Sequence, residues 1–279
     1  MSLSAGKILK ISITSDTKKK ILEEIQKYLG NTSKSISRNV QRVSKPFIIF
    51  TPNPEQIVYA QSHQWFATIL NQADVALPDG IGLVWASQFL GRRPDMDNHA
   101  LIQERIPGVE FMEDLIGYAA NWGDTIGLIG GFDGLAVKAY ERLRSKYTKL
   151  VGWGEDGPHI SYFPHGITMD KAAILHTADR IQRTKASLIF VGLGAPKQEA
   201  YINELIREME KRDYHKPLVL MAVGGSFEII ADRLKRAPVF IRSIGFEWAW
   251  RLLQEPWRWK RQLALITFVV LLIREKVGI

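Results

Sequence analysis

The chain has 279 residues, 46% hydrophobic and 24% charged, with no cysteine and a net charge of +8. That is enough apolar mass for one large domain, or a domain with an appendage, at a charge content ordinary for globular proteins. The lack of cysteine excludes a disulfide framework and thiolate metal sites, and the opening MSLSAGKILKISITSD has no apolar core of a secretory signal, which predicts a cytosolic protein.

Taken in chain order, short apolar runs alternate with helix-length amphipathic stretches. ILKISI (8–13) reads as a strand and 16–29 as a helix, FIIF (47–50) precedes a helix over 54–71, and DVAL (74–77) precedes one over 80–90. After a helix over 109–122, TIGLIGG (125–131) leads into 134–147, and KLVGW (149–153) is followed by a helix over 169–184. SLIFVGLG (187–194) leads into 197–212, and LVLMAVGG (218–225) into 226–235. Such alternation, with β-branched runs buried on both faces, predicts an α/β fold: a mostly parallel sheet with helices on each side. Segments 31–45 and 92–107 are polar and irregular, the character of lids or binding loops.

The tail differs from the body. From Arg233 onward ten Lys/Arg face three Asp/Glu, so +7 of the charge lies there, and four of the eight tryptophans (Trp248, Trp250, Trp257, Trp259) lie there too. A boundary near 235 therefore divides a core, 1–235, from a helical, basic and aromatic appendage, 236–279, which asks for an anionic partner. Its apolar run, Leu263 to Ile273, would make a helix of about 16 Å, half of a bilayer's ~30 Å core, so it should not span. A buried terminal helix accounts for the run alone; the tryptophans and basic residues just upstream point to the lipid interface. Arg251, Arg258 and Arg261 share one helical face if Pro256 only kinks the helix, and guanidinium forks suit phosphate oxygens.

In parallel α/β sheets ligands bind beyond the carboxyl ends of the strands. The turns there read TPNPEQ (51–56), PDGIG (78–82), GGFDG (130–134), GLGAPKQE (192–199) and GGSFE (224–228). Glycines let backbone N–H groups approach a ligand, and the helix N-termini behind them favour phosphate, so this edge suits a nucleotide diphosphate. Each piece also has a plain structural account. Asn53 can cap a helix that begins at Pro54, with Gln56 as third residue of a capping box; Asp79 can be only a cap; Lys197 and Gln198 can simply face solvent. GGFDG and GLGAPK both fail the dinucleotide pattern G-x-G-x-x-G. Asp95 and Asp97 form a D-x-D, a pattern that can hold a metal ion but that three residues also form by chance; the six histidines have no ligand spacing, so metal-independent chemistry is the expectation and a metal at Asp95 and Asp97 the lesser alternative.

TPNPEQ, PDGIG, ERIPG (104–108), GLGAPKQE, RAP (236–238) and EWAWRLLQEPWRWKR (247–261) occur in the order and approximate spacing of one family. From Asn53 to about Arg261 the chain resembles the WecG/TagA/CpsF glycosyltransferases, most specifically in GxGxPxQE and in the RAP and EW…R…EP.R..R segments. The resemblance implies a Rossmann-like unit with a C-terminal appendage. It also implies transfer of N-acetylmannosamine or its uronic acid from UDP to a GlcNAc-diphosphate-polyprenyl acceptor, in teichoic acid, enterobacterial common antigen or capsule assembly.

By the same resemblance Asp79 matches the catalytic base, Thr51 and Asn53 the polar pair near it, Arg105 the arginine of the ERxxG segment, and Gln198 the glutamine of GxGxPxQE. Gly130, Gly131, Gly192, Gly194, Glu228 and Arg236 would line the substrate site, with Arg251, Arg258 and Arg261 gripping the acceptor diphosphate. Glu228 and Asp232 depart from the family's usual Asp and Gly, and the loop 92–103 is longer than the family leads one to expect.

Inverting transfer needs a base for the acceptor hydroxyl, stabilisation of the UDP leaving group, and a sugar nucleotide held in line. Asp79 is the strand-end carboxylate at the family's base position, although an aspartate near pKa 4 accepts protons poorly unless its site raises that value. Two other readings compete. A dehydrogenase should show a third glycine and an acidic residue about 20 positions on. A nucleic-acid-binding module would explain the arginines but not the glycine-rich edge. The expected partners are thus a UDP-sugar, a polyprenyl-diphosphate-linked acceptor and the inner face of the cell membrane, with no nucleic acid; a homo-oligomer stays open.

Overall fold

The computed structural model describes residues 3–35, 45–91, 101–163, 166–243 and 245–278. Asp95 and Asp97, and most of the loop 92–103, lie outside them.

The chain opens with a hairpin, β1 (Ala5–Ile8) and β2 (Ile11–Thr14), where the sequence predicts one strand over 8–13. The reversal falls on Leu9 and Lys10, both in the left-handed region at φ 47° and 68°. Two-residue turns of that kind favour glycine or asparagine, so nothing local announces this one. Tertiary contacts hold it: Leu9 is buried, and its N–H donates to the Glu275 carboxylate near the other terminus at 3.1 Å.

After α1 (Lys18–Ser35), the chain enters the main sheet at β3 (Phe47–Phe50). The predicted helix over 54–71 is two, α2 (Pro54–Ser62) and α3 (Gln64–Leu70), broken at His63 (φ −131°, ψ 86°). That ring stacks on Tyr59 at 3.8 Å, with Nδ1 3.0 Å from the Tyr59 carbonyl. Then follow β4 (Val75–Ala76), α4 (Ile81–Leu90), α5 (Gly108–Trp122), β5 (Thr125–Gly130), α6 (Leu135–Lys146) and β6 (Val151–Glu155). A hairpin that the sequence does not announce, β7 (Ile160–Phe163) with β8 (Gly166–Met169), precedes α7 (Lys171–Thr184). The body closes with β9 (Leu188–Gly192), α8 (Lys197–Lys211), β10 (Val219–Ala222) and α9 (Ser226–Ile230), whose predicted extent to 235 is cut short where Asp232 turns left-handed at φ 55°.

Six strands pair in parallel in the order β4-β3-β10-β9-β5-β6. Both faces are dry. Ile48 and Phe50 point into a core shared with α2, α3, α7 and α8, while Phe47 and Ile49 point into one shared with α1, α5 and α6. This period-2 division of fully buried strands is the parallel-sheet signature, and it confirms the predicted α/β, Rossmann-like class.

Beyond α9 come α10 (Val239–Ser243), α11 (Glu247–Gln254), a 3-10 turn (Pro256–Arg258) and α12 (Trp259–Val277). The single helical face expected for Arg251, Arg258 and Arg261 does not form. Proline has no N–H to continue a helix, so α11 ends at Gln254 and α12 starts anew beyond Pro256. α12 packs on α2 and α4, burying Phe268 and Leu272 in the core that includes Ile48. At ~1.5–3 kcal/mol for each large apolar side chain, those two alone anchor the helix firmly. Its opposite side leaves Leu263, Ile266, Val270, Ile273 and Val277 exposed, a stripe at helical spacing. Among the described residues no helix is long and apolar enough to cross a membrane.

Candidate active site

The carboxyl ends of β3, β4, β5, β9 and β10 carry the predicted site turns, and parallel pairing brings them to one edge. Thr51 is buried and donates its hydroxyl to the Ala222 carbonyl at 3.3 Å, tying the ends of β3 and β10 together. Asn53 caps α2: its Oδ1 accepts the Gln56 N–H at 3.0 Å, with Pro54 first in the helix. Only half of the expected capping box is made, because the Gln56 side chain turns away to Glu199.

Asp79 follows β4, its N–H held by the Leu77 carbonyl at 2.8 Å. Gly80 next to it sits at φ 120°, a conformation open in practice to glycine, and this lets α4 begin immediately behind the carboxylate. Burial pushes the Asp79 carboxyl up to about 6; Arg105 opposes the shift, Glu247 adds to it, and Arg251 and Arg236 oppose it more weakly. The turns after β5 and β9 meet closely at Gly130, where a side chain's first carbon would fall 2.3 Å from the Gly192 carbonyl oxygen. Gly131 and Gly194 continue these turns at φ 70° and 72°.

Over this edge lie the segments 236–243 and 245–255, held by arginine–glutamate pairs. Arg105 donates to the Arg242 carbonyl at 3.3 Å and pairs with the Glu247 carboxylate. Arg236 and Arg242 both reach Glu110, at 2.5 and 3.0 Å. Arg251 bridges Glu228 at 3.0 Å and Glu255 at 2.8 Å. A cleft of about 310 Å³ opens between Ile81, Arg105, Pro107 and Glu110 on one side and Val239, Arg242 and Gly245 on the other.

Arg105, Arg251 and Arg236 all act electrostatically on Asp79, and Arg251 holds Glu228, so these residues gather at one edge. Gln198 faces inward instead: it is 1% exposed, accepts the Gly224 N–H on Oε1 at 2.9 Å and donates to Glu199 at 2.9 Å. The plain alternative, that it simply faces solvent, does not hold; the residue that the resemblance places in the site braces the turn after β10 from below. Arg261 is exposed on α12, and Arg258 belongs to the 3-10 turn. Sequence reasoning gave no role to Glu110, Glu247 and Arg242: Glu110 stands in a helix start and Arg242 in the basic tail, while Glu247 was visible only as the first residue of the EW motif. Among the described residues no group of three His, Asp or Glu side chains is placed to hold a metal ion.

The model of the glycosyl transferase WecG/TagA/CpsF family matches residues 8–279. Among characterised proteins the chain is similar to the N-acetylglucosaminyldiphosphoundecaprenol N-acetyl-beta-D-mannosaminyltransferase of Staphylococcus aureus (strain MW2), at 30% identity over 91% of this chain and 85% of that protein. It is also similar to the protein of that same name from Bacillus subtilis (strain 168), at 28% identity over 82% of this chain and 80% of the relative. With almost its whole length matched and its strand-end motifs gathered at one edge, the chain belongs to the WecG/TagA/CpsF glycosyltransferase family.

Proposed function

We propose that this glycosyltransferase moves an N-acetylmannosamine-type sugar from UDP to a GlcNAc-diphosphate-polyprenyl lipid; the names of the staphylococcal and Bacillus relatives give the transferred sugar and a lipid acceptor of that class for those proteins. The observation that carries the reading is Asp79, a carboxylate raised to about 6 at the strand-end edge under a canopy of arginines. At neutral pH it is mostly ionised yet far more basic than an ordinary aspartate, which answers the objection that a strand-end Asp is a poor proton acceptor. In the proposed step Asp79 takes the proton of the acceptor hydroxyl while that oxygen bonds to the anomeric carbon and the bond to UDP breaks. Charge growing on the departing diphosphate is met by N–H groups of the Gly130–Gly131 and Gly192–Gly194 turns and by Arg105. Thr51, Asn53 and Gln198 shape the floor that holds the sugar nucleotide in line.

The membrane side of the reading rests on the tail. Trp257 and Trp259, 70% and 54% exposed, stand at the head of the α12 apolar stripe, with Arg261 exposed just beyond. That pattern suits a helix lying in the headgroup region, with Arg251 left at the strand-end edge for the acceptor diphosphate. Because α12 also buries Phe268 and Leu272, its outer face is better tested by substitution than by deletion: Ile266→Glu with Val270→Glu should abolish sedimentation with anionic liposomes and leave the fold intact. The decisive assay is UDP release from candidate UDP-sugars with a short-chain GlcNAc-diphosphate-lipid. No release with any UDP-N-acetylhexosamine would sink the reading.

A further inference from the structure

Under the strand ends a chain of amides converges on one carboxyl group that the transfer step does not use. Gln56, in the first turn of α2, donates Nε2 to Glu199 Oε1 at 3.3 Å, and Gln198 donates Nε2 to the same oxygen at 2.9 Å. Gln198 in turn accepts the Gly224 N–H at 2.9 Å. Glu199 thereby links the turns after β3, β9 and β10. It has no solvent exposure, and Gln56 and Gln198 are 8% and 1% exposed.

Two acceptor atoms at this junction lack a hydrogen, Glu199 Oε2 and Gln56 Oε1. A buried carboxylate there would leave both unmet and carry a charge with no cation against it, an arrangement interiors do not tolerate. A proton on Glu199 Oε2 removes that charge and turns the unmet acceptor into a donor. Burial pushes this carboxyl up to about 7, against the hydrogen bonds from Gln198 and from its own backbone N–H. Its place in the first turn of α8 also favours the anion, and burial outweighs that too. The side chains that touch it from α2 and α8 are amides, and no ion pair is made to it among the described residues.

We infer that Glu199 is a positioning residue for the transfer reaction: as a neutral acid it locks the Gln198 amide onto Gly224, and so fixes the turn that presents Glu228 to the UDP-sugar. The inference rests on the glycosyltransferase reading above. An ionised Glu199 draws water or turns the amides, and the Gly224 turn loosens.

The test is the pH dependence of kcat and KM for the UDP-sugar in wild type, Glu199→Gln and Glu199→Ala, with melting temperatures alongside. Wild-type kcat/KM should rise as Asp79 ionises and fall again above about 7. Glu199→Gln keeps the accepting oxygen and cannot ionise, so it should retain activity within about threefold near pH 6.5 and lose the alkaline fall. Glu199→Ala should raise KM for the UDP-sugar about tenfold, the effect of losing a hydrogen-bonded brace, with a smaller change in kcat. Wild-type constants in Glu199→Ala, or an unchanged alkaline limb in Glu199→Gln, would overturn the assignment; should the alanine variant not fold, the glutamine profile decides alone. If wild type itself releases no UDP, the transferase reading is what has failed. Calorimetric titration with UDP then decides: Glu199→Gln must keep affinity above pH 7.5 that wild type loses, and identical curves reject the inference.

Discussion

The floor of the site and its canopy are built from different physics. The floor joins Gln56, Glu199, Gln198 and Thr51 to backbone groups through buried hydrogen bonds. The canopy joins Arg105, Arg236, Arg242 and Arg251 to Glu110, Glu228, Glu247 and Glu255 through ion pairs whose side chains are 14–37% exposed. Unmaking a buried bond strands a polar atom at a cost of about 1–3 kcal/mol, so the floor has essentially one arrangement. Partly exposed ion pairs are screened and individually weak, so the canopy can trade a carboxylate partner for a phosphate when substrate arrives. A rigid floor under an exchangeable canopy suits a site that must hold a sugar nucleotide in line and still admit a lipid-linked acceptor.

The largest effect is expected at the floor's reactive edge. Asp79→Asn should fold and bind UDP yet lose roughly 10²–10⁴-fold in kcat, the usual worth of a positioned base; near-wild-type turnover would remove Asp79 from the mechanism. In the canopy, Arg251→Gln should raise KM for the diphosphate acceptor about tenfold while changing UDP affinity less than about twofold, measured by steady-state kinetics and calorimetry. Equal losses for both substrates would mean that Arg251 serves the floor rather than the canopy.

Stability against pH separates the two regions again. Asp79 and Glu199 have folded-state pKa values raised to about 6 and about 7, so each ionises at a cost to the fold as pH climbs past its ordinary value near 4. Asp79→Asn and Glu199→Gln should therefore melt on the order of 2–5 °C above wild type at pH 8, with the gap closing toward pH 4. Arg251→Gln should show no such gain. The smallest effect belongs to the exposed pair between Arg142 and Asp232, where the family's usual residue is glycine. Asp232→Gly removes a screened ion pair and relieves a left-handed φ of 55°, so melting should shift by less than about 2 °C. Unchanged selectivity among UDP-sugars in that variant would show that the departure at Asp232 does not set sugar preference.

Much of this was legible in the chain itself. Short, β-branched, fully apolar runs such as FIIF and LIFV, bounded by turn residues, favour strands buried on both faces, and their alternation with helices favours a sheet covered on both sides. Asn53 followed by Pro54 marked a helix start for the same local reason, and the strand-end position of Asp79 followed from topology. What escaped the sequence depends on contacts distant in the chain. The Leu9–Lys10 turn violates local preference and is held by Glu275, 266 positions away. Gln198 faces inward because Gly224 and Glu199 supply partners that outweigh solvent, and Glu247 meets Arg105 across 142 positions. The Asp79 carboxyl rises to about 6 only when folding buries it and sets Glu247 near it, against the opposing charge of Arg105. Local backbone preference and hydrophobic period act within a few residues, so the sequence alone determines the strands, most helices and the parallel sheet. Desolvation and charge are fields summed over the packed molecule, and only the tertiary structure decides them.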